Sequence, residues 1–406
     1  MAAGTFGNLD CVTFPVIGVV GGGQLARMMA PSAVALGFEL RVLAESSDVS
    51  AVKAVSRAPV GDYRDLSTLR AFAEGLDVMT FDHEHVPTKH LHTLIDEGIN
   101  VQPHPGALVF AQDKLRMREA VERLGLPNPA WAAVSTVDEL VAFGDKIGWP
   151  VVLKTPRGGY DGKGVRMIDD AAAAAASADW FTGTPLLAED KVEFSRELSA
   201  LVARRPSGEA KAWPVVHTIQ VRGVCDEVIA PAQELPEQVA AAAQQAALRL
   251  AEELGVTGVM AAELFETPGT GEGFVVNELA MRPHNTGHWT MDGSVTSQFE
   301  QHLRAVLDLP LGDTSVLGGA VVMKNYLGGE NTDLFGAYPQ ALAADPGVKL
   351  HGYGKSVRPG RKIGHVNVVG AAADIPDLRR RAGRVASIIR DGVDPVDVNP
   401  AEGDQQ

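Results

Sequence analysis

Residues 154–164, Lys-Thr-Pro-Arg-Gly-Gly-Tyr-Asp-Gly-Lys-Gly, constrain this chain more than any other stretch. A short apolar run ending at Leu153 delivers Lys154, and Gly158, Gly159, Gly162 and Gly164 then break the pattern. Glycine reaches backbone conformations closed to other residues and lets amides approach an anion. Lys154 and Lys163, one at each end, suit a polyphosphate. The spacing is neither that of a P-loop nor the dinucleotide fingerprint. A strand, a glycine-rich loop and a second strand are predicted over 151–168. Taken alone, the stretch also reads as a flexible surface hairpin.

A second feature lies further on. Segments 256–265 and 273–278 flank a turn-rich run, Thr267-Pro-Gly-Thr-Gly-Glu272. Strands folding back symmetrically about Thr270–Gly271 make Glu263 and Glu278 direct cross-strand partners, with Cβ atoms about 5 Å apart. Two carboxylates so placed repel, and one protonates unless a cation sits between them. Asn277 adds a carbonyl oxygen beside the second acid, and magnesium prefers such ligands and shares them with phosphate oxygens. The prediction depends on register, because a slip of one residue puts the acids on opposite faces. Solvated surface acids are the plain alternative. A phosphate-cradling loop together with a magnesium-type pair points to nucleoside triphosphate chemistry.

Composition limits the partners. The 406 residues imply two to three domains. Lys+Arg 36 against Asp+Glu 51 gives a net charge of −15, which argues against a nucleic-acid coat or a binder of anionic membranes. Cys11 and Cys225 cannot build a disulfide framework or a cysteine-based zinc site, which fits a reducing cytoplasm. Residues 1–14 read as an extension without a basic signal-peptide region, and no apolar stretch approaches a membrane span.

Segments 16–20, 39–43 and 77–81 read as buried strands, with helices after Gly21-Gly22-Gly23 and over 65–74. That alternation predicts a doubly wound parallel sheet. Helices are expected at 87–97 and 107–124. Thr136 caps a helix over 136–147, with Glu139 completing a capping box. An Ala-rich helix runs from 169 to about 181. Strands are expected at 186–190, 194–204, 210–221 and 223–230, a long helix at 236–254, and a last helix near 377–389. The boundaries drawn are an extension 1–14, an N-terminal α/β domain 15–111, a central domain 112–310, a C-terminal β-rich domain 311–395 and a tail 396–406.

Lys154 with Gly158–Gly164, the run Glu189, Asp190, Lys191 and Val192, then Glu197, Glu263, Asn277 and Glu278 resemble the ATP-grasp superfamily. Within it, four segments resemble the 5-(carboxyamino)imidazole ribonucleotide synthase family. They are Gly21-Gly-Gly-Gln-Leu25, Gly158-Gly-Tyr-Asp-Gly-Lys-Gly164, Arg282-Pro-His-Asn-Thr-Gly-His-Trp289 and Arg358-Pro-Gly-Arg-Lys-Ile-Gly-His365. The resemblance spans residues 16 to 390. Met281 departs from it, standing where the family usually has Pro.

The resemblance implies an α/β and α+β architecture: an ATP-grasp fold with an N-terminal doubly wound (Rossmann-like) domain and a small C-terminal β-rich domain. The activity implied is carboxylation of 5-aminoimidazole ribonucleotide (AIR) by ATP and bicarbonate through carboxyphosphate, in purine synthesis. Lys114 and Lys154 would contact the ATP phosphates, with Gly159, Tyr160, Asp161, Gly162, Lys163, Gly164 and Val165 closing over them as a lid. Glu189 to Val192 would read adenine, Glu197 would hold the ribose, and His217 would lie near the nucleotide. Glu263 and Glu278 would hold Mg2+, with Asn277 beside them. Arg282, His284 and Asn285 would orient bicarbonate or carboxyphosphate, and Lys163, on the lid, would join these catalytic groups and meet AIR. Tyr160, Asp161, Glu84 and the turn Gly22, Gly23, Gln24 and Leu25 would meet AIR, the turn taking its phosphate at a helix N-terminus. Lys355 and Arg361 would close that site. A cytoplasmic homodimer is implied.

Rival readings exist. Gly21–Gly23 with Ala26 and Glu45 partly match the dinucleotide fingerprint, which would make the chain a nicotinamide oxidoreductase. That reading leaves the second glycine loop and the acid pair unexplained. Asp82-His83-Glu84-His85, with His90 and His92 after it, lacks a completing ligand at motif spacing and reads as loop histidines. His284 and His288 are read as a loop because Gly287 interrupts them. Arg379–Arg384 reads as a solvated helix face. A non-catalytic nucleotide binder is the third class.

Overall fold

A computed structural model describes residues 14–159 and 164–395. Tyr160, Asp161, Gly162 and Lys163, on which lid and substrate roles were placed, lie outside the described residues, as do 1–13 and 396–406.

Strands β1 (Val16–Val20), β2 (Glu39–Leu43) and β3 (Val78–Phe81) pair in parallel in the order β2–β1–β3. A parallel sheet must be covered on both faces. Helix Gln24–Leu36 covers one, where Ile17, Val19, Met29 and Ala33 meet Phe299 and Leu303 of helix Gln298–Val306. Helices Leu66–Ala73 and Thr88–Asp96 cover the other through Leu69, Phe72, Leu91 and Leu94. Asp65 starts the first of these by accepting from the Ser67 and Thr68 amides. The alternation in the sequence thus gives the doubly wound domain expected from it.

The single helix expected over 107–124 is two, Pro105–Gln112 and Lys114–Arg123. Asp113 is extended, at φ −136° and ψ 107°, and its carboxylate accepts from the Leu115 and Arg116 amides. An N-cap of this kind competes with continuing the helix. The break sets Lys114 at the head of the second helix with Arg118 one turn on, facing the same side.

Strands β4 (Trp131–Val134), β5 (Val151–Lys154), β6 (Val165–Ile168) and β7 (Leu186–Asp190) form an antiparallel sheet in the order β4–β7–β5–β6. Helix Val137–Ile147 packs on it through Leu140, and Thr136 caps that helix by accepting from the Glu139 amide. Glu139 reaches back to the Ser135 amide at 2.6 Å. The Ala-rich helix is shorter than expected, Ala171–Ala176, with a 3-10 turn after it.

The largest sheet contains β8 (Arg196–Arg204), β9 (Ala210–Ala212), β10 (Val216–Val221), β11 (Val224–Ala230), β12 (Gly258–Glu266), β13 (Phe274–Ala280), β14 (Ala320–Leu327), β15 (Lys349–Gly352) and β16 (Lys362–Gly370). Its order is β13–β12–β8–β10–β11–β14–β16–β15, with β9 paired to β8. The strand expected over 210–221 is split at Trp213-Pro214-Val215, since Pro214 has no N–H for a ladder. Pairing of β11 with β14 carries the sheet past residue 310, so the C-terminal strands extend the central sheet. Helix Ile375–Asp391 buries Leu378, Val385, Ile388 and Ile389 over that extension.

Candidate active site

The acids Glu263 and Glu278 stand directly opposite each other on β12 and β13. The route to that register differs from the symmetric fold-back expected. Glu266 pairs Phe274, Phe265 pairs Val275 and Leu264 pairs Val276, a register centred on Thr270 alone. A bulge then leaves Asn277 without a ladder partner and returns Glu278 to Glu263. Without the bulge the two acids would be out of step by one residue. Ser199 of β8 lies opposite Glu263, and Glu197 lies opposite Phe265, so all these side chains share one sheet face.

Burial, with the charges of Glu278 and Glu197, pushes the Glu263 carboxyl up to about 8. Lys114 forms an ion pair with Glu278. Glu263 is therefore an acid with too little positive charge about it. A hard dication among these oxygens and the Asn277 amide oxygen meets that deficit. Among the described residues no group of three or more His, Cys, Asp or Glu is arranged to hold a metal alone. Remaining ligands would have to come from phosphate.

A cavity of about 510 Å³ opens between the small antiparallel sheet and this face. Val152, Val165, Met167, Phe194 and Phe265 give it apolar walls, and Glu189 to Val192 run along its edge with Glu197. The Phe194 and Phe265 rings stack at 4.4 Å. Glu189 is buried and bridges Arg118 and Lys154, the latter at 2.6 Å. Arg118, also fully buried, donates to Asn128 Oδ1 at 2.9 Å, Val276 O at 2.6 Å and Asn277 O at 2.8 Å. It ties β7 to the bulge. Removing one partner of a buried pair typically costs about 3–5 kcal/mol. Lys154 Nζ also reaches Asn277 Oδ1 at 3.5 Å.

The base of the glycine loop is anchored on both sides. The Lys114 amide donates to Pro156 O at 2.9 Å, Arg157 pairs Asp113 at 2.9 Å, and the Thr155 amide donates to Gly164 O at 2.9 Å. Gly158 and Gly164 have φ of 78° and 74°, so both ends need glycine.

A second cavity of about 400 Å³ adjoins the first and shares Lys114, Glu263, Glu278 and His284 with it. Its far wall carries Glu84, His85 and Gln112 of the N-terminal part. Arg282 donates through Nε to Glu84 Oε2 at 2.8 Å, and the Met281 amide donates to Glu84 Oε1 at 3.1 Å. Glu84, expected to meet a substrate, thus orients Arg282. His284 Nδ1 meets Thr286 Oγ1 at 2.9 Å, and Nε2 lies 3.2 Å from Glu263. Burial and then the Arg282 and Lys362 charges push His284 down to about 3, so it is neutral. Among the described residues the buried Asn285 amide has no hydrogen-bond partner at the cavity wall other than the neighbouring Cys225 thiol. Buried groups so sparsely paired mark a place for a ligand.

The helix N-terminus expected to receive a phosphate is partly taken. Glu45 accepts from the Gly22 amide at 3.0 Å, and Asp82 accepts from the Ala26 amide at 2.7 Å. Glu45 is thereby committed to the turn, against the oxidoreductase reading, in which it would hold a ribose. Gln24 instead accepts a hydrogen bond from Lys355, so those two residues do come together. Arg361 donates to Ser356 Oγ at 2.9 Å, on the same loop.

His217 is the expectation that fails. It lies opposite Leu198 in the ladder, on the face away from Glu197 and Glu263, where Leu198 and Leu264 pack beneath helix Glu237–Glu253. Sequence reasoning missed Arg118, which lines the larger cavity; Lys362, part of the Arg358–His365 motif but given no role of its own, lines it too. The spacing of Lys114 and Arg118 carried a signal for the first. Nothing local distinguished Lys362 from its basic neighbours.

A doubly wound sheet followed by two antiparallel sheets that enclose a carboxylate-floored cleft is the architecture of an ATP-grasp enzyme. Residues 119–299 match the ATP-grasp domain, 14–112 the ribonucleotide synthetase preATP-grasp domain, and 321–377 the phosphoribosylaminoimidazole carboxylase C-terminal domain. The N5-carboxyaminoimidazole ribonucleotide synthase of Mycobacterium tuberculosis is 49% identical over 390 residues, covering 93% of this chain and 88% of that one. The crystal structure of the Thermus thermophilus synthetase superposes with a TM-score of 0.83 at 35% identity, covering 93% of this chain and 99% of the other. The Aspergillus clavatus enzyme, in complex with ADP and 5-aminoimidazole ribonucleotide, gives 0.83 at 28% identity, with coverage of 93% and 98%. The chain belongs to the N5-carboxyaminoimidazole ribonucleotide synthase family.

Proposed function

We propose that the chain carboxylates the exocyclic amine of AIR at the expense of ATP, with bicarbonate as the carbon source. The observation that carries this is the meeting of the two cavities at Glu263, Glu278 and His284, with the buried Asn285 amide beside them. ATP lies in the larger cavity, its adenine between Phe265 and the apolar wall and its phosphates toward Lys114 and Lys154. AIR lies in the smaller one. Glu263 and Glu278 would hold Mg2+, which supplies charge for the transferring phosphoryl group.

Bicarbonate is a poor electrophile because negative charge is delocalised around its carbon. Transfer of the γ-phosphoryl group releases ADP and gives carboxyphosphate; the amine of AIR then takes the carbon as the bond from carbon to the phosphate oxygen breaks, inorganic phosphate leaves and the nitrogen loses a proton. The chain's own task is electrostatic: to bring anions together and steady the transferring charge. Arg282, held from behind by Glu84, presents a guanidinium to the oxyanion. Neutral His284, its Nε2 3.2 Å from Glu263, orients the bicarbonate together with the Asn285 amide. Lys355 and Arg361 bind the AIR phosphate together with the Gln24 and Leu25 end of the turn. The glycine loop, tied at its base by the Thr155 amide to Gly164 O, serves as the lid over the phosphates. The working parts are the N-terminal domain up to residue 111 and the central and C-terminal segments, whose strands share one sheet across residue 310. A homodimer in the cytoplasm completes the reading, and no described helix is long and apolar enough to cross a membrane.

Phosphate release with magnesium-ATP, adding bicarbonate and AIR separately and together, tests the proposal. Release that requires all of them supports it. Release indifferent to AIR, or none, overturns it.

A further inference from the structure

The loop 284–288 carries His284 and Asn285, yet its shape is set by a residue outside it. Gln298, the first residue of helix Gln298–Val306, is wholly buried. Its Oε1 accepts from the His284 amide at 2.8 Å, and its Nε2 donates to the His284 carbonyl at 2.8 Å. A backbone donor and a backbone acceptor fix which way round the amide sits, since a flip would set like against like. Nε2 is therefore the donor toward His288 Nδ1 at 2.9 Å, and the His288 proton lies on Nε2. The backbone of Gln298 is tied too: its amide donates to Thr290 Oγ1 at 2.8 Å, and that hydroxyl donates to Gly287 O at 2.6 Å.

Two further facts single the contact out. A Cβ on Gly287 would lie 2.7 Å from Gln298 Cδ and 2.8 Å from Leu201 Cδ2, so the loop can seat on this amide only with glycine there. His288 in turn stacks on His365 at 5.0 Å, and His365 on His351 at 4.5 Å, which pairs Asp292 at 2.6 Å. Gln298 thus sits between the C-terminal strands β15 and β16 and the loop that faces the acid pair.

We propose that Gln298 is a positioning residue for the carboxylation: it clamps the His284 peptide from both sides and so holds the imidazole and the Asn285 amide toward bicarbonate. It touches no substrate itself. The inference rests on the reading of His284 and Asn285 given above. A clamp of this kind acts on the bicarbonate half of the site and leaves the adenine cleft alone, because Gln298 lines neither cavity.

The test compares the full-length chain with Gln298→Leu, which keeps the bulk and removes both hydrogen-bonding atoms, and with Gly287→Ala, which pushes the loop off the amide. Turnover is expressed per nucleotide-binding site, measured by titration with MgADP, so that loss of folded protein does not count. Both variants should bind MgADP stoichiometrically and keep KM for ATP within about twofold. Their AIR- and bicarbonate-dependent kcat should fall by at least about tenfold, as loss of paired buried hydrogen bonds at a reacting loop implies. Should Gln298→Leu fail to fold, Gly287→Ala decides. Turnover within twofold of the parent overturns the inference, as does a parallel rise in KM for ATP, which would mean a general disturbance of the cleft. An inactive parent chain would instead overturn the reading of the site on which the inference stands.

Discussion

Replacing Glu263 by Gln removes an ionisation that the folded chain resists. In the folded state burial, then Glu278 and Glu197, hold the Glu263 proton up to about pH 8, against an ordinary value of 4.5. Between those values the folded chain binds more protons than the unfolded one, so stability falls as pH rises through the window. At about 1.4 kcal/mol per decade the ceiling is about 5 kcal/mol. The side chain is 26% exposed, and His284 stands 3.2 Å away. Solvent and relaxation reduce the net effect to about 2 kcal/mol. Urea unfolding without metal or nucleotide, from pH 5 to pH 8.5, should therefore show the parent losing about 2 kcal/mol more than Glu263→Gln. A companion experiment uses calorimetry of MgADP binding in buffers of different ionisation enthalpy at pH 7. The parent should release close to one proton as the cation claims Glu263, and the variant none. Parallel stability curves with equal proton release would refute the claim that this acid is poised for a cation.

Three further substitutions probe the rest of the site. Glu278→Gln should lower ATP turnover by about a hundredfold or more while circular dichroism and urea midpoint stay near the parent's, since a ligand is lost from an exposed cleft edge; near-normal turnover would contradict the assignment. Arg282→Lys should cut kcat by about ten- to a hundredfold, because a single ammonium cannot serve both Glu84 and an oxyanion, and steady-state kinetics should show KM for ATP little changed. Lys355→Ala should raise KM for AIR by about tenfold with KM for ATP within twofold, and the reverse pattern would move Lys355 to the nucleotide side.

What the sequence made legible follows from how local each signal was. The β1–β2–β3 alternation and the Thr136 cap depend on neighbours in the chain, and both appear where they were read. The acid pair was legible because side chains alternate along a strand, although the bulge at Asn277 that realises the pairing left no mark in composition. His217 was misplaced for the same reason in reverse: its motif position said nothing about which sheet face it takes. Long-range ion pairs escaped the sequence altogether. Arg118 meets Glu189 and the β13 backbone, and Glu84 meets Arg282 across nearly two hundred positions. Such partners are chosen by tertiary packing, and the carboxylates at Glu45 and Asp82 show how they can occupy a helix end that motif reasoning would leave to a ligand.

Oxygen tracing reaches the chemistry itself. With [18O]bicarbonate, ATP and AIR, attack of a bicarbonate oxygen on the γ-phosphorus must leave one labelled oxygen in each inorganic phosphate released. Phosphate carrying that single label, formed only when AIR is present to take the carbon, is the predicted outcome. Unlabelled phosphate, with all the 18O in the carboxylated product or in water, would contradict phosphorylation of bicarbonate in this cleft.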